Sequence, residues 1–176
     1  MIDEAQRIYE QGKAAPGFDH AAGLRKLETL GDAEAVFRAG RLWPRFDFTE
    51  GLAALFRLKS AKFIYHAGLE WKSFDFALAL SHLCALHDPG YLFYAGAHWK
   101  SFDYEKGGKV LLLRENPEYL YRAGALWREF DFASAWRALE KAGGEGEAWR
   151  GLALENPKWK RALGRIWEEL CQKAGI

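Results

Sequence analysis

The sequence contains few cysteines, no long apolar run and almost no excess of charge. Its two cysteines, Cys84 and Cys171, lie far apart and form no CxxC motif, which excludes a disulfide framework or a zinc module as the basis of the fold. No apolar run reaches the roughly 18 residues of a membrane-spanning helix, and the acidic first residues do not resemble a secretory signal. We therefore expect a cytoplasmic protein without a membrane partner.

Motifs that carry catalysis or hold cofactors are also missing. The chain has no GxSxG sequence, no phosphate-binding Walker loop, no GxGxxG and no HExxH. His82, Cys84 and His87 are close in sequence, but a spacing of two places His82 and Cys84 about 200° apart on a helix, which suits no single metal ion. His66 and His98, with Glu70 on the same face, are interpreted as surface residues rather than metal ligands. We therefore predict no enzyme activity, no cofactor and no metal site.

A strict period of 28 residues is the main feature that the sequence does have. The segment Phe37-Arg38-Ala39-Gly40 returns in related form at 65–68, 93–96 and 121–124. A Phe-Asp pair keeps the same period: Phe18-Asp19, Phe46-Asp47, Phe74-Asp75, Phe102-Asp103 and Phe130-Asp131. A fixed period of this size, without insertions, is typical of proteins that stack identical structural units.

Each copy contains the start signals of two helices. The first helix is predicted to begin at Asp88-Pro89 or Asn116-Pro117, because Asp and Asn cap orphan N–H groups and proline is tolerated at the first helical position. The second is predicted to begin at the aspartate of the Phe-Asp pair, where the helix dipole also favours a carboxylate. A regular row of aspartates could suggest a metal or catalytic site, but residue type and position both fit capping.

Small residues recur inside both predicted helices. Glycine in a helix interior costs about 1 kcal/mol relative to alanine, so its periodic use needs a packing reason. The positions are Gly12, Gly40, Gly68, Gly96 and Gly124 on the first helix, and Gly23, Gly51, Ala79, Gly107 and Ala135 on the second. We expect close approach of neighbouring helices, with small residues facing each other and an aromatic side chain packed over each missing one.

The first and last copies depart from the consensus. Ala15 replaces the tryptophan of the first copy, and His20 replaces the aromatic residue after the aspartate. In the last copy Lys158-Trp159 replaces Phe-Asp, and the final helix carries polar residues. Those polar residues are Glu168, Glu169, Gln172 and Lys173. Terminal units with a polar outer face protect the ends of a stacked core.

The expected fold class is all-α, an α-solenoid of six tandem 28-residue helix–turn–helix repeats with modified terminal (capping) repeats, after a short N-terminal helical turn. We expect a single domain over residues 1–176, with repeats at 9–36, 37–64, 65–92, 93–120, 121–148 and 149–176. The pattern resembles the helical-repeat solenoid class, which includes tetratricopeptide and HEAT arrays, although their periods of 34 and roughly 40–47 residues are longer. The resemblance implies a binding scaffold and transfers no site residues.

Positions that differ between copies are the candidates for specificity. The residue after the repeated aromatic lies off the apolar stripe of the first helix. Across the copies we predict a partner-binding ladder at this position, formed by Arg38, His66, Tyr94, Arg122 and Arg150. One helical turn later, Glu70 and His98 extend the same face, together with Leu42, Leu126 and Leu154. Arginine and tyrosine are enriched at binding hot spots, although ordinary exposed residues would also explain this column.

A second column of basic residues lies in the turn between the two helices. This turn edge consists of Arg45, Lys72, Lys100 and Arg128. A cation near the C-terminus of a helix is favoured by the helix dipole, and that structural role is the simpler interpretation. The alternative is an edge of positive charge that follows a nucleic-acid backbone. A net charge of only +1 disfavours a dominant phosphate binder.

These observations predict a non-catalytic scaffold or adaptor for a protein or peptide partner. The first alternative is a nucleic-acid-binding protein that uses the turn edge. The second is a structural subunit that self-associates end to end through its terminal repeats, instead of remaining a monomer. The sequence does not identify the partner.

Overall fold

The computed structural model describes residues 4–174, with side chains up to residue 168. Within this range the chain is all-α and folds into twelve helices, most of them ten or eleven residues long. The helices are α1 (Glu4–Ala14), α2 (His20–Thr29), α3 (Ala33–Leu42), α4 (Phe48–Arg57), α5 (Ala61–Glu70), α6 (Phe76–Ala85), α7 (Pro89–His98), α8 (Tyr104–Arg114), α9 (Pro117–Leu126), α10 (Phe132–Lys141), α11 (Gly143–Glu155) and α12 (Pro157–Ala174). None of these helices has both the length and the apolarity to cross a membrane.

The predicted capping residues start the helices. The carboxylate of Asp75 accepts a hydrogen bond from the backbone N–H of Leu78 at 2.9 Å, and Asp47, Asp103 and Asp131 make the equivalent bond. The side chain of Asn116 caps α9 in the same way. The aspartates are therefore N-caps, and in the first five pairs the break between the two helices falls at the predicted Phe-Asp position.

The second helix of a pair ends at a residue in the left-handed conformation. These residues recur at the same period of the sequence, with φ between 50° and 75°. They are Gly31, Lys59, His87, Glu115 and Gly143. His87, one of the three residues considered for a metal site, therefore lies in the turn that terminates a helix.

The chain forms two compact units, and the division between them crosses α7. Unit 1 comprises Met1–Tyr91 and Trp99–Ser101, and unit 2 comprises Leu92–His98 and Phe102–Ile176. Within unit 1, α1, α3 and α5 pack in sequence, and α2 packs on α4. Within unit 2, α9 packs on α11, and α8, α10 and α12 follow one another. Each unit thus has two layers of helices, consistent with a helical repeat array.

A tryptophan of one copy lies on the mid-helix glycine of the copy before it. The indole Nε1 of Trp71 donates to the carbonyl of Phe37 at 3.0 Å, and a Cβ atom added at Gly40 would lie under 3.0 Å from that indole ring. Trp43, Trp99 and Trp127 repeat the same bond to Tyr9, Tyr65 and Phe93. The prediction that an aromatic side chain packs over the missing one is confirmed.

The structure corrects the expectation that small residues of two helices face each other. Gly51 of the second helix lies under Phe46, and Gly107 lies under Phe102. Each phenylalanine belongs to the Phe-Asp pair directly before that helix. The glycines therefore make room for aromatic rings. A ring over each glycine fills the space between the helices, so the helices do not come together glycine against glycine.

The ends of the array follow the same packing with different residues. Glu155 stands at the tryptophan position of the last copy, and Trp159 of the next helix takes its place. Its Nε1 donates to the Tyr121 carbonyl at 3.1 Å, and its ring covers Gly124. Ala15, at the tryptophan position of the first copy, is exposed. Of the polar residues predicted to cover the last helix, the side chains of Glu169, Gln172 and Lys173 lie outside the described residues.

The helix pairs start earlier than the predicted repeat boundaries. The first helices begin at Ala33, Ala61, Pro89 and Pro117, four residues before the boundaries at 37, 65, 93 and 121. The N-terminal segment is a full helix, α1, that packs on α2 and α3, instead of the short helical turn expected. The single-domain assignment stays a prediction.

Candidate functional site

The ladder residues lie on an accessible face. Arg38, His66, Tyr94, Arg122 and Arg150 are all partly buried, and none is in the core. Arg38 and His66 belong to unit 1, and the other three belong to unit 2. Glu70 of unit 1 and His98 of unit 2 are exposed. We describe the two parts of the ladder separately, because their side chains have different contacts.

In unit 1 the ladder side chains are bound to neighbouring copies. The Nη1 atom of Arg38 donates to the Gln6 side-chain oxygen at 3.1 Å, and the guanidinium lies 4.3 Å from the centre of the Tyr9 ring. Glu70 forms an ion pair with Arg41 at 3.0 Å. These contacts join α1 to α3 and α3 to α5, so this part of the ladder already serves packing between copies.

In unit 2 the contacts described for the ladder stay within single helices. Arg122 pairs with Glu118 on the same helix, at 2.8 Å between Nη2 and Oε1. The rings of Tyr94 and His98 are stacked, with an interplanar angle of 12° and centroids 6.2 Å apart. Leu126 follows Arg122 by one turn and is 63% exposed. Because an i,i+4 ion pair is worth only about 0.2–0.5 kcal/mol, a partner carboxylate can take the place of Glu118 on Arg122.

Arg150 is the unusual residue of this face. Its Nε atom is buried and has no hydrogen-bond partner among the described residues. Most buried polar groups in proteins are hydrogen-bonded, and a buried N–H without an acceptor costs about 1–3 kcal/mol. A carboxylate is the acceptor that matches a guanidinium best, because it can bind two N–H groups at once. The sequence indicated Arg150 by its column but gave no sign of this unsatisfied atom.

The turn edge is also accessible. Arg45, Lys72, Lys100 and Arg128 are all exposed, and each lies just after a first helix, where the helix dipole favours a cation. The Lys100 ammonium lies 5.3 Å from the centre of the Phe76 ring. These positions fit the structural interpretation and leave the charged groups open to solvent.

His82 of α6 has a structural explanation. The imidazole of His82 stacks on Phe56, with centroids 4.1 Å apart and an interplanar angle of 15°. Burial lowers the pKa of His82, and the nearby Asp75 carboxylate opposes that effect. Among the side chains that the structure describes, no group of three or more His, Cys, Asp or Glu is arranged to hold a metal ion.

Unit 2 contains an apolar groove that the sequence pattern did not predict. It has a volume of about 520 Å³ and lies between α10 and α12, with the end of α11 beside it. Its lining residues are Ala133, Trp136, Arg137, Glu140, Leu154, Leu163, Ile166 and Trp167. The sequence did contain one indication of it. Trp136 stands at the repeat position that holds the buried leucines Leu24, Leu52 and Leu80 in earlier copies, and a tryptophan is too large for the same site. Leu154, expected on the ladder face, lines this groove instead.

The fold is all-α, with sequentially packed helices that are consistent with a helical repeat array. Comparisons of the chain with protein families, with curated proteins and with solved structures gave no match. Its function is therefore inferred from the geometry of the exposed surfaces.

Proposed function

We propose that this protein is a non-catalytic scaffold that binds a protein or peptide partner. We further propose that it is an α-solenoid of six helix–turn–helix repeats with modified terminal repeats. The repeated contact between a tryptophan and the glycine of the preceding copy supports this view, because it stacks one copy on the next in the same register. Stacked helical repeats offer extended surfaces for binding.

The proposed binding face is the unit-2 ladder, which we define as Tyr94, Arg122 and Arg150 with His98 and Leu126 beside them. The observation that carries this assignment is the buried Nε of Arg150, which has no partner within the described part of the chain. If the Arg150 side chain turns toward the surface when a partner binds, a ligand carboxylate would supply the missing acceptor to its guanidinium. The exposed Leu126 and the stacked rings of Tyr94 and His98 would supply apolar contact area. The preferred ligand is thus a peptide segment with an acidic residue next to an apolar one.

Peptide display tests this proposal without a known partner. A random peptide library selected on the purified full-length chain should enrich sequences that combine Asp or Glu with leucine or an aromatic residue. Calorimetry would then compare an enriched peptide on the wild-type chain and on variants. Arg150→Gln should weaken binding roughly tenfold or more, since a hydrogen bond to a charged group contributes about 1.5–3 kcal/mol. Arg122→Glu with Tyr94→Ala should abolish binding with helicity unchanged.

Arg128→Gln is the matched control, because it makes the same change on the turn edge of the same unit. It should leave peptide affinity unchanged. The scaffold proposal fails if no peptide is enriched, or if Arg150→Gln binds as tightly as the wild type. Retention of nucleic acid that Lys72→Gln and Lys100→Gln abolish, with a steep loss on added salt, would replace it by the nucleic-acid alternative.

A further inference from the structure

The groove between α10 and α12 has the make-up of a protein interface. Leu154, Leu163 and Ile166 form an apolar lining, and Trp136 and Trp167 stand beside them. Arg137 and Glu140 add charge. An apolar centre with tryptophan and a polar rim is the usual anatomy of such surfaces. None of the five unit-2 ladder residues lines this groove, and the proposed function does not use it.

Trp167 protrudes at the groove. It is 69% exposed, whereas the other seven tryptophans are buried or partly buried. Trp136, by contrast, is partly buried, and its Nε1 donates to Glu140 Oε1 at 2.8 Å. The surface therefore carries a projecting aromatic side chain and a cavity of about 520 Å³ next to each other. A surface with both a protrusion and a cavity can be complementary to itself.

The charges on α10 are complementary to themselves as well. Arg137 and Glu140 are both exposed and are separated by three residues, so they lie on one face of the helix. A two-fold axis through this face places two α10 helices antiparallel. Each Arg137 then meets the Glu140 of the second copy, and the pair forms twice. A partner of arbitrary sequence would match this order of charges only by chance.

We propose that the α10–α12 groove is the interface of a symmetric homodimer, in which Trp167 of each copy enters the groove of the other. Arg137 and Glu140 form two reciprocal ion pairs across the axis. The occupant of the groove is thus a second copy of this chain.

Sedimentation velocity of the full chain tests the proposal, with circular dichroism to verify the fold of each variant. The wild type should dimerise as its concentration rises, and Trp167→Ala should lose the dimer. Arg137→Glu alone and Glu140→Arg alone should each be monomeric, because each places like charges opposite each other. An equimolar mixture of these two variants should restore a dimer, because both reciprocal pairs are then complementary.

The mixture separates an interface from a defect in folding, since it changes no contact within either chain. A wild type that remains monomeric at all concentrations overturns the proposal. So does a mixture of folded variants that remains monomeric, or an Arg137→Glu variant that dimerises like the wild type. Larger assemblies that survive Trp167→Ala would indicate end-to-end stacking in place of this dimer.

Discussion

Gly96 and Gly108 both lie inside helices but in opposite environments. A Cβ atom at Gly96 would lie under 3.0 Å from the indole ring of Trp127, whereas a Cβ atom at Gly108 would have nothing within 4 Å. Gly108 stands in the column of Leu24, Leu52 and Leu80, and a cavity of about 300 Å³ lies beside it. One glycine is thus required by packing, and the other leaves space unfilled.

We therefore expect alanine substitutions at these two positions to have opposite effects. Gly96→Ala should lower the free energy of unfolding by about 1–3 kcal/mol through overpacking. Gly108→Ala should raise it by up to about 1 kcal/mol, because alanine is the better helix former. Urea denaturation of both variants measures the two effects, and each serves as the control for the other. A stabilising Gly96→Ala would refute the packing role of the glycine.

His82 makes the stability of the fold dependent on pH. Its folded-state pKa is lowered, mainly by burial, with Asp75 acting in the opposite sense. As the pH falls through the ordinary histidine pKa of about 6.5, the unfolded chain binds the proton more readily than the folded chain. The free energy of unfolding therefore decreases with acidity until the lower folded-state pKa is passed.

His82→Phe keeps an aromatic ring on Phe56 and removes this titration. Between neutral and mildly acidic pH, its melting temperature should fall less than that of the wild type. The measurement is a pair of thermal melts of each protein at the two pH values. An equal fall for both proteins would show that His82 does not carry the effect.

At the scale of the helix, three non-glycine residues end second helices in a conformation that glycine prefers. Lys59 has a φ of 53°, where Gly31 of the previous copy has 75°. A left-handed conformation costs a non-glycine residue roughly 1–2 kcal/mol, and the greater freedom of glycine in the unfolded chain offsets part of that.

Lys59→Gly should therefore stabilise the fold by about 0.5–1 kcal/mol, as measured by urea denaturation. Gly31→Ala is the reciprocal variant and should destabilise it by a similar amount. A Cβ atom at Gly31 would meet nothing within 4 Å, so only backbone strain would act there. A loss of stability in Lys59→Gly would contradict this explanation of the helix ends.

The stacking of one helix pair on the next depends on a tryptophan and a glycine that act together. Gly40→Ala should destabilise the wild type by about 1–3 kcal/mol, because the indole of Trp71 occupies the space of the new methyl group. In a Trp71→Leu background that space is free, and the same change should be nearly neutral. A double-mutant cycle by denaturation should give a coupling above about 0.5 kcal/mol.

The matched control combines Gly40→Ala with Trp99→Leu, since Trp99 lies on Gly68 instead of Gly40. The coupling of this control pair should be clearly smaller. Equal coupling for both pairs would mean that loss of stability in general, and not the specific contact, explains the result.

At the scale of the whole molecule, ladder residues at equivalent repeat positions make different contacts in the two units. In unit 1, Arg38 and Glu70 bind neighbouring copies. In unit 2, Arg122 pairs within its own helix, and no residue that the structure describes accepts a hydrogen bond from the Nε of Arg150. The periodic sequence therefore supplies both the interior contacts of the array and a surface with unsatisfied groups.

End-to-end association of two chains would need the contact of a tryptophan with a glycine, which the terminal copies cannot form. Stacking within the chain uses a tryptophan over a glycine, but Ala15 stands at the first tryptophan position and Leu152 at the last glycine position. A second copy stacked in the same register would thus lack the indole and meet a side chain in its place. This favours the proposed α10–α12 interface over end-to-end stacking.

The sequence by itself determined the local structure of this protein. Capping by Asp47 or Asp75 and the apolar period act within one or two helical turns, so they place helix starts without knowledge of the neighbours. The glycines at a strict period also indicated an overlying aromatic ring. The same periodicity predicted the ladder, whose role in binding stays a prediction.

Tertiary structure decided which side chains meet across copies. Trp159 replaces the missing tryptophan from a different helix, and its acceptor Tyr121 is 38 residues away. The groove beside Trp167 depends likewise on how α10, α11 and α12 pack together. Periodicity assigns a residue to a face of its own helix, but burial and hydrogen bonding depend on what the neighbouring helices place against that face.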